Sequence, residues 1–357
     1  EGQRTSAGGF QQTFPISGRL RFARQVSRVD VAQAMAEIRN RERLLIGEVQ
    51  RDFLQLLLLR QQMATNREFV ALNRDFVAIL EERLQRAEVS ELDVNLAQAE
   101  FQRLAVEFAT LESDVVAREI ALKLRMGLPP EHEIALEGSI ESLAAKFRPE
   151  RYDTTMVVNR PDLRQTELAI DRSAAEARLA RAEAWADWTL GANYESERRV
   201  DDPSGLKTDE FLGFKISIPI ALWHRNPGRV LEHRAAGEQA RHQFEAQRLA
   251  IRAEIATARA RALKLRAALN EYPNNITAAL APTNELLRKG YNEGLIPASQ
   301  VIQVRQQQTA LRSTFLTATA NYLQALVDLE TATASSPFLN RDFLQERTTA
   351  EPRSYRK

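Results

Sequence analysis

Two periodicities divide the chain. In GFKISIPIALW (213–223), large apolar residues occupy every second position, which is typical of a β-strand with one apolar and one polar face. A weaker copy, GFQQTFPISG (9–18), lies near the start, and WTLGANYESE (188–197) also alternates. We therefore predict a few strands, the last two forming a hairpin with a long polar tip, RRVDDPSGLKTDE.

Most of the remaining chain has the period of a helix. Between Ile16 and Gly127 there is no proline, and glycine occurs only at Gly18 and Gly47. The segment 28–86 is predicted as one very long helix, roughly 90 Å, or two stacked end to end. After it, apolar residues alternate steps of three and four, as in the seam of a coiled coil. These residues are Val94, Ala97, Phe101, Leu104, Phe108, Leu111 and Val115.

The sequence contains an internal repeat. A shift of 207 residues superimposes Val94 on Val301 and Phe108 on Phe315, and a shift of 204 superimposes Phe10 on Phe214. The segments LQRAEVSELDV (84–94) and YNEGLIPASQV (291–301) then coincide as helix-breaking turns. We interpret this as two units, each running strand, long helix, turn, long helix.

Composition excludes several classes of protein. Lys and Arg number 49 against 48 acidic residues, so no global field favours nucleic acid. Apolar runs such as Leu56–Leu59 are far shorter than the roughly 20 residues of a membrane-spanning helix. No signal peptide is visible in EGQRTSAGGF, and the chain has no cysteine. If the protein crosses a membrane, it does so as strands.

The strands themselves indicate a membrane and several chains. A hairpin with an exposed apolar face is marginal in water, and strands in a bilayer must close into a barrel. The few strands of one chain cannot close a barrel, so we expect a homo-oligomer. The predicted lipid-facing residues are Phe214, Ile216, Ile218, Trp188, Leu190 and Tyr194. Trp185 and Trp223 join Trp188 and Tyr194 near strand ends, where interfacial aromatic girdles occur, although core burial is the alternative.

Three segments carry a family resemblance: NRPDLRQTELAIDRSAAEARLARAEAW, SIPIALWHRNPGRV, and the paired turns. Over residues 9–335 the chain resembles the TolC family of outer-membrane efflux channels, in particular the CzcC/CusC-like outer membrane factors. The resemblance implies a mainly α fold with a small membrane β part. Long antiparallel coiled-coil helices would form a periplasmic tunnel, and three chains would share a twelve-stranded β-barrel. It also implies that a first strand is missing, because the chain is a fragment or its start is misassigned.

The resemblance implies a passive function. The expected protein is the outer-membrane channel of a tripartite system, an exit duct for small solutes or metal ions. Its partners would be two further copies, a periplasmic adapter (membrane fusion) protein, an inner-membrane pump and outer-membrane lipid. The alternative is a soluble or peripheral coiled-coil scaffold or adapter. The predicted segments are a truncated barrel strand (1–22), a first helical hairpin (23–128), an equatorial linker (129–158), a helix (159–187), a β-hairpin (188–222), a second helical hairpin (223–336) and a flexible tail (337–357).

The two turns receive roles from the same resemblance. In the family they narrow the tunnel exit and meet the adapter, which implicates Ala87, Val89, Ser90, Gly294, Leu295, Ile296 and Pro297. Relatives place acidic residues just after the second turn, where this chain has Gln300 and Gln303, and the first-unit counterparts are Asp93 and nearby Glu91. All of these residues also fit a purely structural role, and an acid at a helix start favours the helix dipole.

Catalytic and metal chemistry is not indicated. His132, His224, His233 and His242 do not have the spacing of a metal site. The sequence contains no recognisable nucleophile arrangement, glycine-rich phosphate loop or carboxylate pair. We expect no enzyme activity, no cofactor and no nucleic-acid partner.

Overall fold

A computed structural model of the chain describes residues 4–147, 160–185, 187–201, 205–219, 226–271 and 276–334. The predicted tail (337–357), Ile220, Trp223 and His224 lie outside them. The described elements are β1 (Arg4–Phe14), α1 (Arg19–Gln85), α2 (Glu91–Arg125), α3 (Ile140–Lys146), α4 (Pro161–Ala182), β2 (Trp188–Asp201), β3 (Gly205–Ser217), α5 (Pro227–Glu271), α6 (Ile276–Asn292) and α7 (Ala298–Thr333). They form two compact units, one of residues Glu1–Asn40 and Asn159–Ala250, the other of Arg41–Val158 and Ile251–Lys357.

Helix α1 is one continuous helix of 67 residues. It begins nine residues before position 28, directly after Gly18, whose carbonyl accepts hydrogen bonds from the amides of Arg21 (3.0 Å) and Phe22 (3.2 Å). Gly47 interrupts the run of helix formers for a packing reason. A Cβ at Gly47 would lie 2.5 Å from Thr331 Oγ1, so the glycine lets α7 approach closely.

The strands form one antiparallel sheet in the order β1-β2-β3. Phe14 pairs with Trp188 and Arg4 with Arg198 between the first two strands. Between β2 and β3 the pairing runs from Thr189–Ser217 to Asp201–Gly205. The predicted long polar tip was therefore wrong, since most of it continues the ladder. Polar residues can occupy this end of β2 and β3 because both faces of the sheet are exposed there in the single chain. Charged side chains pair with near neighbours, as Arg199 does with Glu197.

In the first unit, α4 packs on the beginnings of α1 and α5. Leu163, Leu168 and Ala175 are buried on one side of α4. On its flanks, Arg172 Nε lies 2.7 Å from Asp30 Oδ1, and Glu183 Oε2 lies 2.7 Å from Arg229 Nη1. These contacts fix the helix that leads into β2.

In the second unit, the helices enclose apolar clusters. One joins α1, α3, α5 and α7 around Leu58, Ile140 and Leu326. Another lies where the chain turns from α1 to α2 and from α6 to α7. The coiled-coil seam predicted in α2 is buried or half-buried along its length. No helix within the described ranges has the length and apolar character needed to cross a membrane.

Candidate functional site: the faces of the sheet and the two helix turns

The strand register sorts the side chains of the sheet onto two faces. Because directly opposite residues share a face, one face collects nearly all the large apolar side chains. We call this the apolar face; its large members are Phe10, Phe14, Trp188, Leu190, Tyr194, Leu212, Phe214 and Ile216, and Leu206 lies apart from them near the start of β3. All are exposed in the single chain, Phe214 to 79%. Ile218 follows in phase just beyond the end of β3 and is also exposed.

The apolar face has aromatic borders on β2. Trp188 stands at the start of the strand and Tyr194 six residues later, with Leu190 and Ala192 between them. Beyond Tyr194 the same face turns polar, with Ser196 opposite Glu210. Trp185 precedes the strand and is exposed. The apolar band is therefore limited at both ends.

The opposite face, which we call the polar face, has a different composition. From the end of β3 nearest α5, its rows contain Ser217, Lys215, Gly213 and Asp209, with Asn193, Glu195 and Glu197 on β2. Phe211 interrupts this series. The sheet is thus amphipathic, although both faces are open in the single chain.

The two helix turns have the same backbone structure. In the first turn (86–90), the Glu88 amide donates to the Arg83 carbonyl (2.9 Å) and the Ala87 amide to the Leu84 carbonyl (2.9 Å). In the second turn (293–297), the amide of Leu295 donates to Gly290 (2.8 Å) and that of Gly294 to Tyr291 (3.1 Å). Both are Schellman motifs, and their residues correspond under the shift of 207.

The proposed docking residues differ in orientation. Ala87, Ser90, Gly294, Leu295 and Pro297 are exposed at the turns, and Leu295 reaches 72%. Val89 and Ile296 instead pack half-buried against the apolar cluster beneath the turns. The turns therefore present five of the seven predicted residues to a partner.

The predicted aperture residues also separate into two groups. Asp93 forms a capping box with Ser90: its amide donates to Ser90 Oγ (3.2 Å), and its Oδ2 accepts from the Ser90 amide (3.4 Å) and from the Ser90 hydroxyl (2.7 Å). Glu91 and Gln300 are exposed in the first turns of α2 and α7, and Gln303 is exposed in the second turn of α7. Asp93 thus starts a helix, whereas the other three have no comparable structural contact in the described part of the chain.

A cluster of aromatic and cationic side chains supports both turns. The rings of Phe76 and Tyr291 meet edge to face at 5.2 Å, and the guanidinium groups of Arg83 and Arg305 lie 4.6 Å from the Tyr291 ring centre and 5.0 Å from that of Phe76. Burial lowers the pKa of Arg305, which is 8% exposed and donates to the Leu72 carbonyl. Burial also raises the pKa of Tyr291. These contacts join α1 to α6 and α7.

Comparison with known proteins agrees with this architecture. The family model of outer membrane efflux proteins matches residues 155–335, about half of the chain. The chain belongs to the outer membrane efflux protein family. No curated protein matches it.

Solved structures of outer-membrane channels share the fold of this family member. CusC, described as undergoing conformational changes on folding and transmembrane channel formation, aligns with a TM-score of 0.73 at 18% identity, covering 93% of this chain and 83% of CusC. CmeC of Campylobacter jejuni gives 0.73 at 14% identity, with 99% and 82% covered. The open state of MtrE from Neisseria gonorrhoeae gives 0.68 at 15%, with 93% and 80% covered. At these identities the likeness concerns the fold.

Sequence reasoning missed part of the site of this outer membrane efflux protein. Phe10 and Phe14 belong to the apolar face, and the shift of 204, which places them on Phe214 and Ile218, contained the signal. Leu212 was overlooked because it adjoins the segment predicted as a loop. Nothing local in the sequence marks the contact between Phe76 and Tyr291, which are 215 positions apart.

Proposed function

We propose that this outer membrane efflux protein is the passive exit duct of a tripartite efflux system. Three copies would build one β-barrel in the outer membrane and one helical tunnel in the periplasm, through which small solutes or metal ions leave. The observation that carries the proposal is the exposed apolar face of the sheet. In an outer membrane efflux protein, the lipid of the outer membrane would cover such a face.

The edges of the sheet support assembly from several copies. Within the described residues, β1 and β3 each pair with β2 and with no other strand. Unpaired edges of strands in a bilayer leave amide and carbonyl groups unsatisfied. Edge pairing between copies would remove both edges and turn the polar face inward, toward an aqueous lumen.

The turns are proposed to bind the periplasmic adapter. Their exposed backbone and the apolar side chain of Leu295 offer a contact surface at the end of the helices of the second unit. Glu88 occupies the corresponding place in the first turn and lies 3.9 Å from Arg83. An adapter would therefore meet one apolar and one charged turn on each copy.

The aperture is proposed to take its acidic groups from the first turn alone. Gln300 and Gln303 are neutral, Asp93 is oriented toward Ser90 by its capping box, and Glu91 is the acid of the predicted set without such a contact in the described part of the chain. Three copies of Glu91 would favour cations weakly. We assign the protein no catalytic step; the inner-membrane pump would supply the energy.

The lipid-facing role is tested by paired substitutions on adjacent positions of β3. Ile216→Lys places a charge on the apolar face, and Ser217→Lys places it on the polar face. We expect Ile216→Lys to reduce the trimer in the outer-membrane fraction, since a cation facing lipid is unfavourable, by about 2–4 kcal/mol at the bilayer midplane and less near the aromatic border. Ser217→Lys should assemble normally. Equal recovery of both variants as soluble protein would favour the scaffold alternative.

Adapter binding is tested by site-specific crosslinking. The chain has no cysteine, so Leu295→Cys introduces a unique site for a thiol-reactive photocrosslinker. Co-expressed adapter should be captured from this site, and Leu249→Cys, exposed on α5 in the first unit, is the matched control. Capture from Leu249→Cys alone would contradict the assignment of the turns.

A further inference from the structure

One aromatic residue lies on the polar face of the sheet. Phe211 in β3 is directly opposite Glu195 in β2, which in turn pairs with Ala7 in β1. Among the described strand residues it is the only large apolar side chain on this face, and it is 52% exposed. The apolar face does not explain it.

Beside Phe211 the polar face is nearly flat. The next residue of β3 on this face is Gly213, which forms a row with Asn193 and Gly9. Because the two glycines carry no side chains, this row, which we call the glycine floor, holds only the side chain of Asn193 beside the ring of Phe211. The side chain of Asn193 covers Gly213 so closely that a Cβ there would lie 2.4 Å from Asn193 Oδ1.

The carboxylate of Glu195 has no cation partner in the described part of the chain. Its neighbours differ: Glu197 pairs with Arg199, and Asp209 lies 4.0 Å from Lys207. Glu195 is therefore an available negative charge beside an aromatic ring. Opposite residues of an antiparallel pair have Cβ atoms roughly 5 Å apart, so one ligand can touch both.

We propose that Phe211, Glu195 and Asn193 form a subsite for organic cations on the inner wall of the duct. The ring would attract the cation and cover its apolar substituents, the carboxylate would neutralise its charge, and the glycine floor would admit its bulk. This inference rests on the proposed function, which turns the polar face toward the lumen. Each trimer would contain three such subsites, so cationic organic solutes would be retained longer than inorganic ions.

The test is current block of the full-length protein in planar lipid bilayers. The probe is benzyltrimethylammonium, and tetramethylammonium is the control that has the charge without the ring. We expect concentration-dependent block by the former and weaker block by the latter, which can contact the ring and the carboxylate but has no benzyl group to cover the glycine floor. Phe211→Ser and Glu195→Gln should each weaken the block about tenfold, the size of one cation–π or charge contact.

Two further variants separate a built subsite from a general charge effect. Asp209→Asn removes an acid from the same face two residues from Phe211 and should leave the block unchanged. Gly213→Ala displaces Asn193 without touching the ring or the carboxylate, and should weaken the block. Unchanged block in Phe211→Ser, or equal effects of Asp209→Asn and Glu195→Gln, overturns the subsite alone. An inserted wild-type protein that passes no current overturns the duct and the subsite together.

Discussion

The first and second turns, residues 86–90 and 293–297, have the same backbone structure but different side chains. Each ends a helix with a left-handed residue, Ala87 at φ 58° and Gly294 at φ 73°. The next helix begins at a Ser90 side-chain cap in one turn and at Pro297, without a side-chain hydrogen bond, in the other. The exposed residue directly after the left-handed one is charged Glu88 in the first turn and apolar Leu295 in the second.

This difference shows which positions the fold constrains. The Schellman hydrogen bonds need only backbone groups and one residue with positive φ. Val89 and Ile296, which both pack into the cluster beneath the turns, have kept their apolar character. Exposed positions have diverged, so we expect the two turns to share stability determinants and to differ in their partners.

The largest effect should come from removing the ring that supports both turns. Phe76→Ala deletes a buried side chain of the shared cluster and should lower the free energy of unfolding by about 3–5 kcal/mol. Hydrogen exchange should then accelerate in both turns. The control is Leu56→Ala, in a cluster between α1 and α2 that does not include the turns. It should lower the free energy of unfolding by a similar amount while the amides of both turns stay protected from exchange. Acceleration in one turn only would show that the two are not supported together.

Substitutions at the left-handed residues Gly294 and Ala87 should change the free energy of unfolding in opposite directions. Gly294→Ala should destabilise the protein by about 1–2 kcal/mol, because alanine is strained at positive φ. No atom lies within 4 Å of the added Cβ, so the cost is that of the backbone alone. Ala87→Gly should stabilise by about the same amount, and the double variant should unfold near the wild-type denaturant midpoint. Two changes of the same sign would show that the turns are not equivalent.

Substitutions at the two helix N-caps, Ser90 and Pro297, should change the free energy of unfolding by different amounts. Ser90→Ala removes the two hydrogen bonds of the Ser90 hydroxyl, leaves the bond from the backbone amide to Asp93 Oδ2, and should cost about 1 kcal/mol. Pro297→Ser adds a capping hydroxyl but frees the unfolded chain, so these contributions offset each other to within about 0.5 kcal/mol. Chemical denaturation of both variants measures the difference. A large loss in Pro297→Ser would mean that the proline, rather than a cap, determines the second helix start.

The sequence was sufficient for features that depend on local chemistry. The absence of proline and the scarcity of glycine predict α1, and the repeat places the turns 207 residues apart. Features that depend on contacts between distant segments of the chain could not be predicted from the sequence. Phe211 and Leu212 are adjacent, and alternation along β3 puts Leu212 on the same face as Phe214, but only the register with β2 sets Phe211 directly opposite Glu195. The inward orientation of Ile296 likewise depends on its packing against α6, where it lies beside Gly290.

The smallest effect concerns a charged contact through which α2 of the first hairpin meets α7 of the second. Glu100 is 6% exposed and accepts hydrogen bonds from Arg103 (2.7 Å) and Gln306 (2.7 Å). Burial raises the pKa of Glu100, but these hydrogen bonds outweigh it and hold the pKa below the ordinary value of 4.5. A carboxyl whose pKa is lowered by folding stabilises the protein above its unfolded pKa, and this stability is lost as the pH falls through the folded pKa.

Unfolding measured at successive pH values below 4.5 should therefore show that the free energy of unfolding of the wild type falls with pH, and that Glu100→Gln reduces this fall. Glu107→Gln, an exposed partner of the same Arg103, is the control that should keep the wild-type profile. Identical pH profiles for Glu100→Gln and the wild type would show that α2 and α7 do not depend on this charge.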